Sequence, residues 1–428
     1  MEYITLSLKK GLKTRSNLLS FKKFFLILKE KKFKKSFLVY NLVTLLEGFS
    51  LSDLTLVMLG AGNSTRFNLG VKKQWLRVDE EPLWLVATKR LEKMYEFQKI
   101  IVVGQQDELS YMENFANYLF CSGGESRQES LKNALEHVDS EFVMVSDIAR
   151  VCASKEIISR LIASKGCADI IVPTLRISDT AFYDDNPIIR EDLRLIQTPQ
   201  LSKTSILKNA LKSNTIFTDD SSAIKAKGGT VWFVEGDSSA HKLTYKKDKS
   251  ELGCLKPPSN RALVGLGFDI HAFSNKGPLL LGGVKLSDEF GFLAHSDGDV
   301  LLHALCDALL GAAGAGDIGE HFPDSDEKYK GISSQTLLLR VADFIKKVGF
   351  EIGNCDITII AQKPKINPFK KEIKLNIAKL LNLPPSKINI KASTTEKLGA
   401  IGKEEGVCVL VNTVLYYFDW TKDEDTNC

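Results

Sequence analysis

Three of the six histidines in this chain lie among aspartates in two short stretches, FDIH at 268–271 and AHSDGDVLLH at 294–303. Asp269 and His271 are two positions apart, so their side chains share one face if the stretch is a β-strand. His303 lies in the second stretch, on a predicted helix. One strand face and one helix face can bring these three side chains together as metal ligands. Three protein ligands with a fourth position open is the arrangement of a catalytic zinc site.

The helix that carries His303 is expected to begin at Ser296, which is a suitable N-cap with Asp299 three residues later. On that helix Asp299, His303 and Asp307 recur every four residues and therefore share one face. Either histidine alone is explained more simply as a cap or as the partner of a carboxylate. The combined pattern favours metal chemistry. A structural zinc module is the weaker alternative, because no fourth Cys or His accompanies the three ligands.

A second candidate site begins with LGAGNSTRF at 59–67, directly after the first predicted strand, and continues with KKQW at 72–75. A glycine-rich turn between a strand and a helix presents backbone N–H groups to phosphate. Arg66 and Lys73 add full positive charges close to that turn. The turn alone would be weak evidence, but together with the two cations it predicts a phosphate-binding site for a nucleotide.

Further fragments in the same part of the chain are GGESRQES at 123–130, SDIAR at 146–150, TPQ at 198–200 and TDD at 218–220. The first adds another glycine-rich turn, with Arg127. The second ends a strand with Asp147, where a carboxylate can hold a divalent ion against a nucleotide. Each fragment alone is explained more simply as a turn or a helix cap, but their order and spacing favour a nucleotide site.

The elements that must position these residues alternate between short apolar strands and amphipathic helices. The predicted strands are LTLVML at 54–59, KIIVVG at 99–104, FVMVSD at 142–147 and ADIIVP at 168–173, and the predicted helices cover 82–94, 127–138 and 154–166. This alternation predicts an α/β fold with a mostly parallel sheet and right-handed crossovers. Beyond residue 262, a similar mixture of strands and amphipathic helices predicts a smaller α/β domain with one helical layer on a sheet.

The two parts are separated by residues 246–262, where the periodicity fails and Lys, Pro, Ser and Asn accumulate. The predicted organisation is a basic and poorly ordered extension at 1–52, a first domain at 53–251, a linker at 252–261 and a second domain at 262–428.

Composition limits the classes of partner that fit this chain of 428 residues. Its net charge is +4, but residues 1–50 alone hold eleven Lys and Arg against three Glu. The rest is therefore slightly acidic, and nucleic acid is not an expected partner. The extension lacks the roughly 18 apolar residues of a membrane span, so stable insertion is not expected. A basic amphipathic helix on a membrane surface is the alternative for that segment.

The eight cysteines show no regular spacing. Such a pattern in a long chain predicts reduced, mostly buried thiols rather than a disulfide framework, and therefore a cytoplasmic protein.

The first half resembles the 2-C-methyl-D-erythritol 4-phosphate cytidylyltransferases of the non-mevalonate isoprenoid pathway over about residues 54–250. The resemblance implies a Rossmann-like nucleotidyltransferase domain that binds CTP and methylerythritol phosphate, with Mg²⁺ or Mn²⁺ in its active site. The catalytic residues that it implies are Arg66, Lys73, Arg190 and Lys242. The substrate-binding residues that it implies are Gly60, Ala61, Gly62, Gly124, Arg127, Ser130, Asp147, Arg150 and Thr218. The chain departs from the family pattern at Lys72, where proline is common.

The second half closely resembles the 2-C-methyl-D-erythritol 2,4-cyclodiphosphate synthases, over about residues 262–418. The family motifs present are FDIH joined to AHSDGDVLLH, GDIGEHFPD at 316–324, AQKPK at 361–365 and KASTTEKLG at 391–399. The resemblance implies an α+β sandwich domain. It also implies that Asp269, His271 and His303 bind Zn²⁺ or a similar divalent ion, while Glu396 binds a second ion, Mg²⁺ or Mn²⁺.

The same resemblance assigns the other residues of the second site. His295 and Thr394 would stabilise the transition state. The substrate-binding residues that it implies are Ser296, Asp307, Asp317, Gly319, Phe322, Asp324, Asp326, Ala361, Lys365, Ser393 and Lys403. The family's cyclase is a homotrimer with sites between subunits, so a homo-oligomer is implied here.

Both resemblances together imply a bifunctional enzyme of isoprenoid precursor synthesis. The first domain would transfer CMP from CTP to methylerythritol 4-phosphate and release diphosphate. The second would convert the CDP-linked 2-phosphate to the cyclodiphosphate and release CMP. An alternative keeps the cyclase and makes the first domain a non-catalytic nucleotide-binding module. The charged residues that argue against this alternative are Arg66, Lys73, Asp147, Arg190 and Lys242.

Overall fold

The computed structural model of the protein describes residues 53–213, 215–294, 297–323, 325–329 and 331–422. The extension at 1–52 lies outside these ranges, and so do His295, Ser296 and Asp324. The roles predicted for these residues therefore stay predictions.

The first half contains twelve strands and six α-helices within the described residues. The strands are β1 (Leu54–Leu59), β2 (Arg77–Val78), β3 (Glu81–Pro82), β4 (Lys99–Gly104), β5 (Leu119–Ser122), β6 (Phe142–Asp147), β7 (Ile170–Arg176), β8 (Ala181–Tyr183), β9 (Asn186–Ile188), β10 (Arg194–Ile196), β11 (Gln200–Lys203) and β12 (Val231–Glu235). The helices are α1 (Leu83–Met94), α2 (Leu109–Glu113), α3 (Arg127–Glu136), α4 (Lys155–Ala163), α5 (Thr204–Ala210) and α6 (Asp220–Ala226).

The main sheet of this half has the strand order β10-β7-β11-β6-β1-β4-β5, with β12 paired to β7. Strands β6, β1, β4 and β5 are mutually parallel, as predicted. The residues of β1 and β6 are all buried, which explains their continuous apolar sequence. Strand β11 runs antiparallel to both of its neighbours, so the sheet is mixed at that side. The turns after β1 and β6 lie at one edge of the sheet, where a ligand site of an α/β fold is expected.

Within its described residues, the second half has a five-stranded sheet, a separate pair of strands and five α-helices. Its strands are β13 (Leu263–Ser274), β14 (Leu279–Leu281), β15 (Val284–Ser287), β16 (Gly291–Phe292), β17 (Phe350–Ile360), β18 (Ile388–Ser393) and β19 (Gly406–Tyr417). Its helices are α7 (Val300–Ala313), α8 (Ile318–His321), α9 (Ser334–Lys347), α10 (Lys370–Leu380) and α11 (Gly399–Gly402). The sheet order is β16-β13-β19-β17-β18, and β14 pairs with β15 separately.

Two glycines of β13 allow helix α7 to lie directly against the strand. A Cβ atom on Gly267 would stand 1.8 Å from the carbonyl oxygen of Ala304, and one on Gly265 would stand 2.0 Å from that of Ala308. Real Cβ contacts are never that short, so only glycine permits this approach. It brings His303, the neighbour of Ala304, next to the strand that carries Asp269.

Helix α7 begins at Val300 rather than at Ser296, so the predicted start is wrong. Its N-cap is Asp299, whose carboxylate accepts hydrogen bonds from the N–H groups of Leu302, Gly282 and Gly283. The bond from Leu302 satisfies an otherwise unpaired N–H group in the first turn of the helix. The bonds from Gly282 and Gly283 fix the loop before β15. Asp299 is fully buried, and these hydrogen bonds give it a structural role.

The expectation about the cysteines is wrong for one pair, because the structure joins Cys152 and Cys254 in a disulfide across 102 residues of sequence. Spacing alone gave no signal for two residues that only the tertiary fold brings together. Of the other described cysteines, four are buried and Cys167 is exposed. Among the helices of the described residues, none has both the length and the apolar character needed to cross a membrane.

Candidate active sites

A cavity of about 480 Å³ opens at the edge of the first sheet, where the glycine turn follows β1. The predicted site residues that line it are Gly60, Ala61, Gly62, Arg66, Lys73, Gly124, Arg127, Ser130, Asp147 and Lys242. The turn is fixed by a hydrogen bond from the Gly60 N–H to the Val103 carbonyl at 2.9 Å. The Ser130 hydroxyl accepts a hydrogen bond from the Gly124 N–H at 3.0 Å and fixes the second glycine turn.

A second cavity of about 310 Å³ adjoins the first and is lined by Arg150 and Thr218 together with Arg127, Asp147 and Lys242. The last three residues line both cavities. Two chambers that meet at three charged side chains can hold two anionic substrates side by side. The structure thus brings most of the predicted residues of this half together.

The three shared residues form an ion-pair network. Asp147 contacts Arg127 Nε at 3.2 Å and Lys242 Nζ at 2.7 Å. Burial by itself would raise the pKa of Asp147, but Arg127 and Lys242 lower it well below its usual value. Asp147 is therefore ionised and holds the two cations at the junction of the cavities. Arg127 is also held by Asp220, at 2.7 Å.

Lys73 lies on a short 3₁₀ helix, Lys73–Trp75, on the wall of the first cavity. Its ammonium donates to the Leu243 carbonyl at 3.3 Å. Burial lowers the pKa of Lys73 below the usual 10.5, and the positive charge of Lys242 lowers it further. A poorly solvated ammonium beside a second cation is placed to bind a highly charged anion.

Arg190 does not join this group. Its guanidinium is half exposed and bonds to the Ser178 carbonyl at 2.7 Å and to Glu191 at 3.1 Å. It lies just before β10 and lines neither of the two cavities. The structure therefore gives no support within one chain for a shared site of Arg190 and Lys242.

In the second half, Asp269, His271 and His303 come together as the sequence predicts. Their ligand atoms all lie within 4.8 Å of one another. Asp269 Oδ2 is 3.2 Å from His271 Nε2 and 3.4 Å from His303 Nδ1. Ligands about 2.0–2.2 Å from a tetrahedral zinc ion are about 3.3–3.6 Å from one another. The donor types and these spacings fit a zinc ion.

Hydrogen bonds outside this cluster fix which nitrogen of each histidine faces it. His271 Nδ1 lies 2.8 Å from the Gly298 carbonyl, which can only accept, so Nδ1 carries the proton and Nε2 is left for a metal. Burial works to lower the pKa of His271, but Asp269 raises it overall. The same histidine lowers the pKa of Asp269, against the effect of burial.

His303 is oriented by a pair of residues that sequence reasoning missed. Its Nε2 lies 2.9 Å from the hydroxyl of Ser334, at the start of α9. That hydroxyl donates to the carboxylate of Asp297, which also accepts the Ser334 N–H at 3.1 Å. The Ser334 oxygen is then left to accept from His303 Nε2–H, which leaves Nδ1 for the metal. No spacing rule could connect Ser334 with His303, 31 residues away.

The remaining predicted residues of the second half form two groups, one at helix α8 and one at the end of β18. In the first group, Asp307 accepts the Ile318 N–H at 2.9 Å and Asp317 caps α8. Both aspartates are therefore hydrogen-bonded to the helix that carries Gly319 and precedes Phe322. Asp326 is ion-paired with Lys328 at 2.6 Å.

The other group lies at the end of β18. The Thr394 hydroxyl donates to Glu396 at 2.6 Å, and the Ala361 N–H donates to the Ser393 carbonyl at 3.0 Å. Lys365 and Lys403 are exposed.

The sheet register separates this second group from the metal cluster. Ser393 pairs with Ile360, Ile360 with Cys408, and Cys408 with Ile270, between Asp269 and His271. Three strand spacings of about 4.8 Å put the two groups about 14 Å apart. The structure does not bring all the predicted cyclase residues together within one chain.

Comparison with known proteins agrees with the division of the chain into two halves. The profile of the 2-C-methyl-D-erythritol 4-phosphate cytidylyltransferase family matches residues 54–251, and the profile of the YgbB family matches residues 262–416. The chain is 55% identical to the "Bifunctional enzyme IspD/IspF" of Campylobacter curvus over 371 residues, which are 86% of this chain and 100% of that protein. The protein of the same name from Sulfurimonas denitrificans is 51% identical over 90% of this chain and 100% of its own length.

A solved structure supports the same assignment over both halves. "Structure of the Bifunctional IspDF from Campylobacter jejuni" matches with a TM-score of 0.78 and 53% identity, over 87% of this chain and 100% of that chain. The chain therefore belongs to the family of bifunctional IspD/IspF enzymes, which unite a 2-C-methyl-D-erythritol 4-phosphate cytidylyltransferase with a cyclodiphosphate synthase in isoprenoid precursor synthesis.

Proposed function

We propose that the two adjoining cavities of the first half hold CTP and methylerythritol 4-phosphate. The observation that carries this assignment is that both cavities end at the same ion-pair network of Arg127, Asp147 and Lys242. The triphosphate binds to the N–H groups of the Gly60–Gly62 turn, with Arg66 and Lys73 beside it. The phosphate of the second substrate binds to Lys242 from the other cavity.

In this arrangement an oxygen of methylerythritol phosphate attacks the α-phosphorus of CTP. The new bond forms as the bond from that phosphorus to the bridging oxygen breaks, and diphosphate leaves. Lys73 and Arg66 neutralise the charge that develops on the phosphate oxygens, which is the main requirement of phosphoryl transfer. Asp147 fits a role in holding Mg²⁺ or Mn²⁺, since such ions are usually held by one or two carboxylates and by substrate phosphates. The ion when bound would add positive charge to the triphosphate.

We assign the zinc-binding role in the second half to Asp269, His271 and His303, on the basis of their spacing and donor types. A zinc ion held there would act as a Lewis acid toward a phosphate oxygen. Glu396, an exposed carboxylate bonded to Thr394, offers the oxygen ligand that Mg²⁺ or Mn²⁺ prefers. The 2-phosphate of the CDP-linked substrate attacks its β-phosphorus, and CMP leaves as that phosphorus–oxygen bond breaks.

We propose that the complete cyclase site requires a second copy of the chain, in a homotrimer. The metal cluster and the Thr394–Glu396 group lie about 14 Å apart within one chain, three strand spacings across the sheet. The outer face of β13 carries Val264, Leu266, Phe268 and Ile270, which are 49–68% exposed. Contiguous exposed apolar side chains of this kind mark protein interfaces. A neighbouring copy packed on this face can supply the missing group.

Two experiments test these assignments. Lys242→Met should raise the KM for methylerythritol phosphate strongly, while Lys155→Met, on an exposed part of α4, should not change it. An unchanged KM in the Lys242 variant would contradict the substrate assignment.

Phe268→Glu should dissociate the trimer in analytical ultracentrifugation and abolish cyclisation. A monomeric variant with full cyclase activity would show that one chain holds the complete site. The cytoplasmic location stays a prediction.

A further inference from the structure

The segment that carries the transferase lysine, residues 72–77, is bonded to the second half at three points. The Lys72 N–H donates to the Lys347 carbonyl at 3.1 Å. The Arg77 guanidinium donates to the Val348 carbonyl at 3.2 Å, and the Arg77 carbonyl accepts the indole N–H of Trp420 at 2.6 Å. Lys347 ends α9, and Trp420 follows β19. Residues more than 270 positions away in sequence therefore hold both ends of a segment that has Lys73 inside it.

Arg77 is nearly completely buried at this junction, with 1% of its surface exposed. Its guanidinium carbon lies 5.7 and 5.3 Å from the ring centres of Trp75 and Phe115, which belong to the first half. It lies 4.9 and 5.2 Å from those of Phe350 and Tyr417, which belong to the second half. Aromatic rings from both halves thus surround one cation, and each ring adds an electrostatic attraction. The position of Arg77 depends on the second half.

The same segment fixes the turn that binds phosphate. The Lys73 N–H donates to the Ser64 hydroxyl at 3.0 Å, and the Gln74 amide donates to the Gly62 carbonyl at 3.2 Å. The Lys72 ammonium contacts Gln105 and Glu108. Gln105 in turn donates to the Ala61 carbonyl at 3.1 Å. Hydrogen bonds therefore run from the second half, through residues 72–77, to the glycine turn.

The departure from the family pattern at Lys72 fits this arrangement. The φ of Lys72 is −74°, which a proline could adopt, but a proline has no N–H to donate to Lys347. The lysine supplies that donor, and its ammonium pairs with the buried carboxylate of Glu108.

From these contacts we infer that the cyclase half positions the CTP site of the transferase half, with Lys347, Val348 and Trp420 as positioning residues. They touch neither substrate, and they act by holding the segment that presents Lys73 and supports the glycine turn. The inference rests on the proposed role of Lys73 in binding CTP. It supplies a physical reason for joining the two halves in one chain.

The test uses the full chain with Trp420→Phe, which keeps an aromatic ring but removes the indole donor and some buried ring volume. Loss of one such hydrogen bond should raise the KM for CTP about fivefold. The KM for methylerythritol phosphate and the cyclase rate of the same preparation should stay within about twofold, since none of the residues assigned to the cyclase site takes part in this bond. Asn114→Ala is the matched control, because it removes a contact to Gly314 in the second half away from the segment.

A second pair of variants isolates the Lys72 N–H. Lys72→Met loses the ammonium and keeps the N–H, whereas Lys72→Pro loses both. CTP binding, measured by equilibrium dialysis, should be weaker in Lys72→Pro than in Lys72→Met.

Lys73→Ala is the reference variant. If it lowers CTP turnover while Trp420→Phe and the Lys72 pair leave CTP binding unchanged, the inference is overturned and the proposed function stands. If Lys73→Ala has no effect, the proposed function itself fails. A loss shared equally by both activities would mean only a smaller folded fraction, and would also overturn the inference.

Discussion

Replacing Ser334 with alanine should weaken zinc binding without removing any zinc ligand. The hydroxyl of Ser334 accepts from His303 Nε2 and donates to Asp297, so its loss removes the acceptor that keeps Nδ1 free for the metal. Loss of a partner of a metal ligand typically costs about 10–100-fold in metal affinity. That range corresponds to about 1.4–2.7 kcal/mol of binding free energy.

The assay is competition for zinc with a chromophoric chelator at one fixed pH. Ser333→Ala is the matched control, because the Ser333 hydroxyl caps the same helix by accepting the N–H of Gln335. Loss of that cap should lower the free energy of unfolding by about 1 kcal/mol and leave zinc affinity unchanged. Equal zinc affinity in Ser334→Ala and the native protein would refute the assigned orientation of His303. Equal weakening in both variants would trace the effect to the helix as a whole.

Three further predictions follow from the sites. Lys73→Ala should lower CTP-dependent turnover by about two orders of magnitude, the scale of one lost transition-state donor, and cyclase activity in the same preparation should survive. Because burial and Lys242 lower the pKa of Lys73 and the ammonium is the active form, kcat/KM for CTP should fall as pH rises through a value below 10.5; a fall only above 10.5 would contradict the proposed environment. A chain that begins at Ser52 should fold and retain both activities, and loss of either would give the extension a functional role.

The local elements of both halves could be predicted from the sequence because their apolar periods are strong. The strands Leu54–Leu59 and Phe142–Asp147 have the bounds that their β-branched runs predict. The direction of Gln200–Lys203 could not be predicted, because strand direction in a sheet depends on which neighbours the strand meets. The sequence leaves the start of α7 open because Ser296 and Asp299 are both good N-caps, and the bonds from Gly282 and Gly283 favour Asp299.

The three metal ligands were predictable because two lie on one strand and each has a residue type that binds metals. The close approach of α7 to β13 completes the cluster, and it depends on Gly265 and Gly267, which carry no obvious signal of their own. The contacts of Ser334, Arg77 and Trp420 join residues that are distant in sequence. Such contacts are products of tertiary packing, so periodicity and motif spacing do not reveal them.

The central claim is that the sequence of this chain supplies the residues of two separate active sites, and the most direct measurement is product analysis with each substrate alone. The purified native protein should form the CDP-linked product and diphosphate from CTP and methylerythritol phosphate. In a separate reaction it should release CMP and the cyclodiphosphate from the CDP-linked 2-phosphate. Lys73→Ala should lose only the first reaction, and His303→Ala only the second, together with most of its zinc. A native protein that catalyses one reaction alone, or a His303→Ala variant that keeps its zinc and its cyclase rate, would contradict this account.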